Sequence, residues 1–295
     1  MVKENNVKIL FIINPISGNN TTDWTVVIAH YFSNLDYTIQ FYHLTKTCNV
    51  QTIKDKIDIF NPHQVVAVGG DGTIKLVAEC LINTPILLGI LPAGSANGLA
   101  KELGISQNPQ KAMDVLVAAY SKKIHIVMIN EHLCIHLSDI GLNAYAMKKF
   151  KHQKVRGMWG YFFASLKVLL QNPIMQVNMQ IGDKTIDIKA EMIVIANATS
   201  YGTGALINPI GRLDDDVFEV IIIKHLSFFE LFKMVFSHTP YDPDKTEIFQ
   251  THQLYMRSNK KVHFQIDGEY LNKIKELNAL IVPHALHIIV PDKQA

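Results

Sequence analysis

From Val7 to about Tyr120, short apolar runs alternate with segments of helical periodicity, and this alternation most narrows the fold. Val7–Ile13, Tyr37–Leu44, Val65–Val68 and Pro85–Leu91 read as strands. Trp24–Phe32, Val50–Phe60, Ile74–Leu81, Leu99–Leu103 and Lys111–Tyr120 read as helices. Strands and helices in strict turn bury their apolar faces by packing helices on a parallel sheet. Ligands of such sheets bind at the carboxyl ends of the strands. There the chain repeatedly places glycine and small polar residues: Asn14-Pro15-Ile16-Ser17-Gly18, Gly69-Gly70-Asp71-Gly72-Thr73 and Pro92-Ala93-Gly94-Ser95-Ala96-Asn97-Gly98. Three such loops at one edge predict a single nucleotide site.

The middle loop is the most informative. Strand, glycine loop and helix form a phosphate site, because glycines let backbone N–H groups approach phosphate oxygens and the helix N-terminus favours anions. It lacks the Lys-Ser/Thr pair of the P-loop and is not the GxGxxG dinucleotide fingerprint. Asp71 sets it apart, since a carboxylate among phosphate donors repels phosphate unless a cation or a proton in transit lies between them. Asp71 is therefore read as a Mg²⁺-linked or catalytic carboxylate. A tight turn with Asp71 capping the next helix is the other reading.

After about Lys123 the pattern changes. Ile124–Ile129, Leu133–Leu137, Val177–Ile181, Thr185–Lys189, Met192–Asn197, Phe218–Lys224, Lys261–Ile266 and Leu286–Val290 read as strands. Helical patterns cover only Trp159–Leu170 and Ser227–Phe236. The expected organisation is an α/β domain over 1–125 and a mostly antiparallel β-sandwich over 126–295.

Composition excludes some classes. A net charge of +2 does not support nucleic-acid binding. Cys48, Cys80 and Cys134 lack disulfide or metal spacing and suit a reducing compartment. The run Ile9–Ile13 is too short for a signal-peptide core, and no window reaches the ~18 apolar residues of a membrane span. A cytoplasmic protein with peripheral membrane contact is expected.

Four motifs carry a family resemblance: Asn14-Pro15-Ile16-Ser17-Gly18, Gly69-Gly70-Asp71-Gly72-Thr73, Leu91-Pro92-Ala93-Gly94-Ser95-Ala96-Asn97 and Asp267-Gly268-Glu269. In this order the chain resembles the diacylglycerol kinase catalytic-domain family of lipid kinases, which includes bacterial diacylglycerol, ceramide and sphingosine kinases. The resemblance implies an α/β domain like that of NAD kinase and phosphofructokinase, and a β-rich lipid-binding domain carrying the Asp-Gly-Glu motif. It implies ATP phosphates over Gly69, Gly70, Asp71, Gly72 and Thr73, with Ser95 and Asn97 opposite and Asn14 and Thr45 nearby. It implies Glu269 as the base for the lipid hydroxyl, with Asp267 and Asp71 beside it. Phosphoryl transfer needs positioning, charge neutralisation and one proton acceptor. By itself, Asp267-Gly268 between apolar strands also fits a hairpin turn.

The segment Arg212–Val217 resembles the one where bacterial members hold a structural Mg²⁺ through two backbone carbonyls and one Asp, here Arg212, Val217 and Asp215. Asp216 stands where a Gly is usual. Adjacent carboxylates suit an oxygen-seeking cation and a solvated loop equally. Ser138–Ala144 and Arg156–Tyr161 resemble the family's lipid-side segments. Lys148–Arg156 holds five formal positive charges and no acid, which fits anionic headgroups or a solvated face. Phe228, Phe229, Phe232, Val235 and Phe236 fit core packing or a membrane-facing rim. His132, Cys134 and His136 alternate like metal ligands on a strand, or like packed and surface residues.

Gly98 stands where bacterial diacylglycerol kinases carry Asp, which tilts toward the sphingoid branch. The acidic residue with which sphingosine kinases hold an amino-alcohol head falls at about Tyr145, which favours a neutral acceptor such as diacylglycerol or ceramide. The expected activity is an ATP- and Mg²⁺-dependent lipid kinase. Its expected partners are a lipid at a membrane surface and, as a homodimer, a second copy of the chain. NAD kinase, which shares Gly-Gly-Asp-Gly-Thr, and a non-catalytic relative of the fold are the alternatives.

Overall fold

The computed structural model describes residues 6–18, 22–151, 157–171, 174–200, 206–230 and 242–292. The chain divides into two compact units: Met1–Ile124 with His284–Ala295, and His125–Pro283. The expected second domain of 126–295 thus differs at its end, where the chain rejoins the first unit.

The first unit runs β1 (Val7–Ile13), α1 (Trp24–Phe32), β2 (Tyr37–His43), α2 (Val50–Phe60), β3 (Gln64–Gly69), α3 (Asp71–Leu81), β4 (Leu87–Pro92), α4 (Gly98–Glu102) and α5 (Pro109–Ala118). Its strands pair in parallel in the order β4-β3-β1-β2. Every residue of β3 is buried, as in a parallel strand covered on both faces. Local chemistry sets the helix starts. The Asp23 carboxylate caps α1, Asn49 and Thr52 form a reciprocal capping box on α2, and Asn108 caps α5 ahead of Pro109. The end of β14 (Glu269–Ile289) adds a further parallel strand, pairing His287 with Leu87 and Ile288 with Leu88.

The second unit contains most of β5 (Ser121–Ile129), then β6 (His132–Cys134), β7 (Leu137–Gly141), α6 (Leu142–Lys151), α7 (Gly157–Leu169), β8 (Met175–Ile181), β9 (Lys184–Ala190), β10 (Met192–Ala196), β11 (Phe218–Ile223), β12 (Thr246–Thr251), β13 (Gln253–Ile266) and the first part of β14. A 3₁₀ turn over Pro243–Lys245 leads into β12. Its main strand pairings are antiparallel, along β12-β11-β10-β7-β13-β14 with β8 and β9 on the other edge of β13. In β8, Met175, Val177, Met179 and Ile181 are buried and alternate with exposed residues, so one face packs on the core.

Helix α6 and strand β12 were not expected, and β13 and β14 are far longer than the segments Lys261–Ile266 and Leu286–Val290. Charged residues on the outward faces of β13 and β14 break the apolar signal without breaking the strands. Of the expected aromatic helix, Phe228 and Phe229 are 54% and 66% exposed. Phe232, Val235 and Phe236 lie outside the described residues, as do 152–156 of the basic run. No helix among the described residues is long and apolar enough to cross a membrane.

Candidate active site

In the first unit the loops after β1, β3 and β4 interlock through glycine. Gly70 and Gly94 meet backbone to backbone, so a Cβ on Gly94 would overlap the Gly70 Cα. Gly18, at φ 66°, leaves only 2.7 Å between a would-be Cβ and the Ala93 carbonyl oxygen. Gly69 is needed for a different reason: the Thr73 side chain fills the space its Cβ would take. Thr73 Oγ1 in turn accepts from Asn14 Nδ2 at 3.0 Å, joining the end of β1 to the first turn of α3.

The glycine segment is shorter than expected, because α3 begins at Asp71 with Gly70 as its N-cap and not at Ile74. Asp71 and Gly72 are first-turn residues whose N–H groups have no intrahelical acceptor. Gly70 supplies no side-chain cap, and Gly72 is exposed. These N–H groups and the helix terminus are the ready anion donors of this unit.

Asp71 is not free. Its Oδ2 accepts from Gly98 N and its Oδ1 from Leu99 N, each at 3.0 Å. The carboxylate therefore caps α4, one helix later than the capping expected from sequence. Asn97, at φ 51° and 5% exposed, closes the same loop. It accepts from Gly94 N at 2.9 Å and donates to Gly94 O at 2.9 Å and to Gln107 Oε1 at 2.7 Å. Gln107 carried no sequence signal. Ser95 is exposed on that loop.

Thr45 follows the edge strand β2, on the far side of β1 from β3. Its hydroxyl meets Thr47 Oγ1 at 3.0 Å and Cys48 Sγ at 3.3 Å, and its N–H donates to Cys48 Sγ at 3.2 Å. Those bonds, with the Thr45 hydroxyl foremost, bring the Cys48 thiol down to about 7.

In the second unit Asp267 and Gly268 have φ 49° and 85°, and Ile266 pairs with Glu269 across them. Two central residues with positive φ mark the tight hairpin that Asp-Gly favours. The motif is thus a hairpin turn, and the turn separates two carboxylates. Asp267 accepts from the N–H groups of Ile135 at 3.2 Å, His136 at 2.9 Å and Leu137 at 3.2 Å. Gly268 N donates to Gln265 Oε1 at 2.8 Å, and Gln265 Nε2 donates to the buried Asp139 at 2.5 Å. Glu269 is exposed, and its carboxylate has no hydrogen bond or ion pair among the described residues.

Ahead of β11, Asp216 adopts φ 59°, the conformation for which Gly is suited, so the departure from Gly leaves the turn intact. Its backbone is held by two histidines: its N–H donates to His125 Nδ1 at 3.3 Å and its carbonyl meets His252 Nδ1 at 2.8 Å. Burial lowers the His125 pKa despite the nearby carboxylates. Asp214 pairs with Arg212 Nε at 3.2 Å, and Asp215 Oδ1 takes the Val217 N–H at 3.5 Å. No three His, Cys, Asp or Glu side chains among the described residues form a metal cluster. For His132, Cys134 and His136 the reason is local: β6 ends at Cys134, and the thiol turns to Asp267 Oδ1 at 3.7 Å.

Residues 8–129 match the diacylglycerol kinase catalytic domain, and residues 138–290 match the YegS C-terminal NAD kinase beta sandwich-like domain. The chain belongs to the diacylglycerol kinase family. It carries that family's kinase catalytic domain. A probable lipid kinase YegS-like of Chromohalobacter salexigens is 24% identical over 79% of this chain and 77% of its own length. A diacylglycerol kinase of Bacillus subtilis is 24% identical over 78% of both chains. Among solved structures, a putative diacylglycerol kinase from Bacillus anthracis superposes with a TM-score of 0.76 at 16% identity, covering 98% of both chains. An NAD kinase from Archaeoglobus fulgidus, solved in complex with ATP, gives 0.56 at 11% identity over 98% of this chain and 95% of that one. Both share the fold of this kinase.

Proposed function

We propose that the protein transfers the γ-phosphoryl group of ATP to the hydroxyl of a neutral lipid, with diacylglycerol the leading acceptor. The observation that carries this reading is the division between two carboxylates on one rigid turn. Asp267 is consumed by three backbone N–H groups, while Glu269 is exposed and unpaired among the described residues. A base needs that freedom, and a tight hairpin gives it a fixed address.

In this reading the first N–H groups of α3 and the Gly69–Gly72 backbone hold the phosphates, with Asn14 and Thr73 joining the loops around them. Asp71 positions α4 and, through its remaining lone pairs, can face a cation on the phosphates. The lipid oxygen forms a bond to the γ-phosphorus as the bond to the ADP oxygen breaks, and the hydroxyl proton passes to Glu269. Mg²⁺, when bound, supplies neutralisation of the phosphate charge. The loop Arg212–Val217 fits a separate structural Mg²⁺. The Leu213 carbonyl accepts from His125 N and the Asp216 carbonyl meets His252 Nδ1, while the carbonyls of Arg212 and Val217, with Asp215, remain a hard oxygen set.

The deciding experiment is phosphate transfer from labelled ATP with Mg²⁺ to diacylglycerol, monoacylglycerol, ceramide and sphingosine in mixed micelles, with NAD as a control. Turnover on a neutral lipid that disappears in Glu269→Gln is expected. Turnover on NAD alone overturns the reading, and ATP binding without turnover on any acceptor points to a non-catalytic relative.

A further inference from the structure

Within the second unit, a cavity of about 520 Å³ opens beside α6, β8, β9, β13 and β14. Lys189, Lys260, Lys261 and Lys273 line it, and no carboxylate does. None of these lysines has an ion pair among the described residues, whereas nearby Arg257 pairs with Glu276 at 3.3 Å.

The backbone builds the cluster. Arg257 pairs with Glu276 and Val262 with Ile274, so four residues of β13 stand opposite one of β14. This large bulge presents Ser258 through Lys261 to the cavity, and bulges of this kind re-aim side chains. Two further cations sit close by: Lys148 Nζ lies 5.4 Å from the Tyr270 ring centroid and Lys149 Nζ 5.2 Å from that of Tyr145.

The ring at the cavity wall is neutral. His263 stacks on Tyr145 at 4.1 Å with the planes 7° apart, and its Nδ1 meets the Tyr270 hydroxyl at 2.8 Å. Burial, then Lys273, Lys148 and Lys149, push its pKa down to about 4. Gathered lysines without acids repel one another, and a multiply charged anion relieves that repulsion. Ile174 and Met175 give the same cavity an apolar side.

We propose that this cavity is an anion site for the phosphate monoester of an amphiphilic ligand, held by Lys189, Lys260, Lys261 and Lys273. All its lining residues belong to the second unit, and the inference does not depend on the kinase reading. The same chemistry is offered by the headgroup of a phosphatidic-acid-type lipid and by a soluble phosphate ester.

The test uses the full chain without nucleotide. Sedimentation with phosphatidylcholine vesicles, with and without phosphatidic acid, is one arm; calorimetric titration with glycerol 3-phosphate is the other. The double variants Lys260→Gln/Lys261→Gln and Lys189→Gln/Lys273→Gln are each expected to weaken binding tenfold or more. A control pair of equal charge change, Lys123→Gln/Lys184→Gln, is expected to stay within twofold. Binding to phosphatidic acid but not to the ester assigns the lipid source, and the reverse assigns a soluble one. The lysines come from separate strands, so each double variant tests the site if the other fails to fold. Absence of binding in both arms, or equal loss in the control pair, overturns the proposal.

Discussion

The turn at Gly69–Thr73 in the first unit and the turn at Asp267–Glu269 in the second use an aspartate in the same way. Asp71 accepts two backbone N–H groups from α4, and Asp267 accepts three from Ile135, His136 and Leu137. In both, the acid most prominent in the motif holds a neighbouring segment in place. What each turn leaves open differs. The first leaves helix-terminal N–H donors, which suit phosphate oxygens; the second leaves the Glu269 carboxylate, which suits a proton. A motif acid can thus fix geometry while the chemistry rests on groups beside it.

The largest effect belongs to the open carboxylate. Glu269→Gln is expected to lower turnover by roughly 10² to 10⁴, the usual span for a lost general base. The denaturant midpoint and ATP affinity should stay at the wild-type values, because Glu269 holds nothing in place. A parallel fall in ATP affinity would show that the two turns are not divided as described. Next comes Gly94→Ala, whose Cβ meets backbone at Gly70, where nothing can swing aside. Nucleotide affinity should drop at least tenfold in a direct titration, with turnover following it. Unchanged affinity would remove the interlocked loops from the phosphate site.

The two aspartates give a smaller, graded contrast. Asp267→Asn turns an amide toward the N–H groups it should accept from, at a cost of about 2 kcal/mol; Asp71→Asn costs about 1 kcal/mol. Urea unfolding should rank them in that order. If Asp71→Asn abolishes turnover at unchanged stability and affinity, Asp71 acts on the reacting groups and its capping of α4 is secondary.

How much of this could be read in the sequence follows from contiguity. The glycine motif is one continuous stretch, so the glycine-rich edge of the first unit is legible as strand, loop and helix. The partners of Asp71 were not, because Gly98 and Leu99 act through backbone N–H groups that any residue but proline supplies. Asp267 hides for the same reason. The helix start at Asp71 is hidden because three glycines in Gly69–Gly72 speak against helix, while Gly70 serves as N-cap and Gly72 tolerates the first turn. The lysine cavity was least legible of all: β9, β13 and β14 each contribute residues that alone resemble an ordinary solvated strand face. The four-residue bulge that gathers Ser258 to Lys261 has no local signature.

The smallest expected effect concerns His263, next to the hairpin that carries Glu269. Its neutral ring stacks on Tyr145, bonds to the Tyr270 hydroxyl and faces Lys148, Lys149 and Lys273. Its pKa is about 4 in the folded chain against an ordinary 6.5. Between these values the unfolded chain takes up a proton that the folded chain refuses, so stability falls as pH drops from about 6.5 toward 4 and is fully present above that window. The ring is only half buried, and solvent screening keeps the loss below about 1 kcal/mol. Urea midpoints at pH 7 and pH 5 should therefore differ more in the wild type than in His263→Gln, which cannot titrate. An equal fall in both would place the acid sensitivity in groups other than the His263 ring beside the second turn.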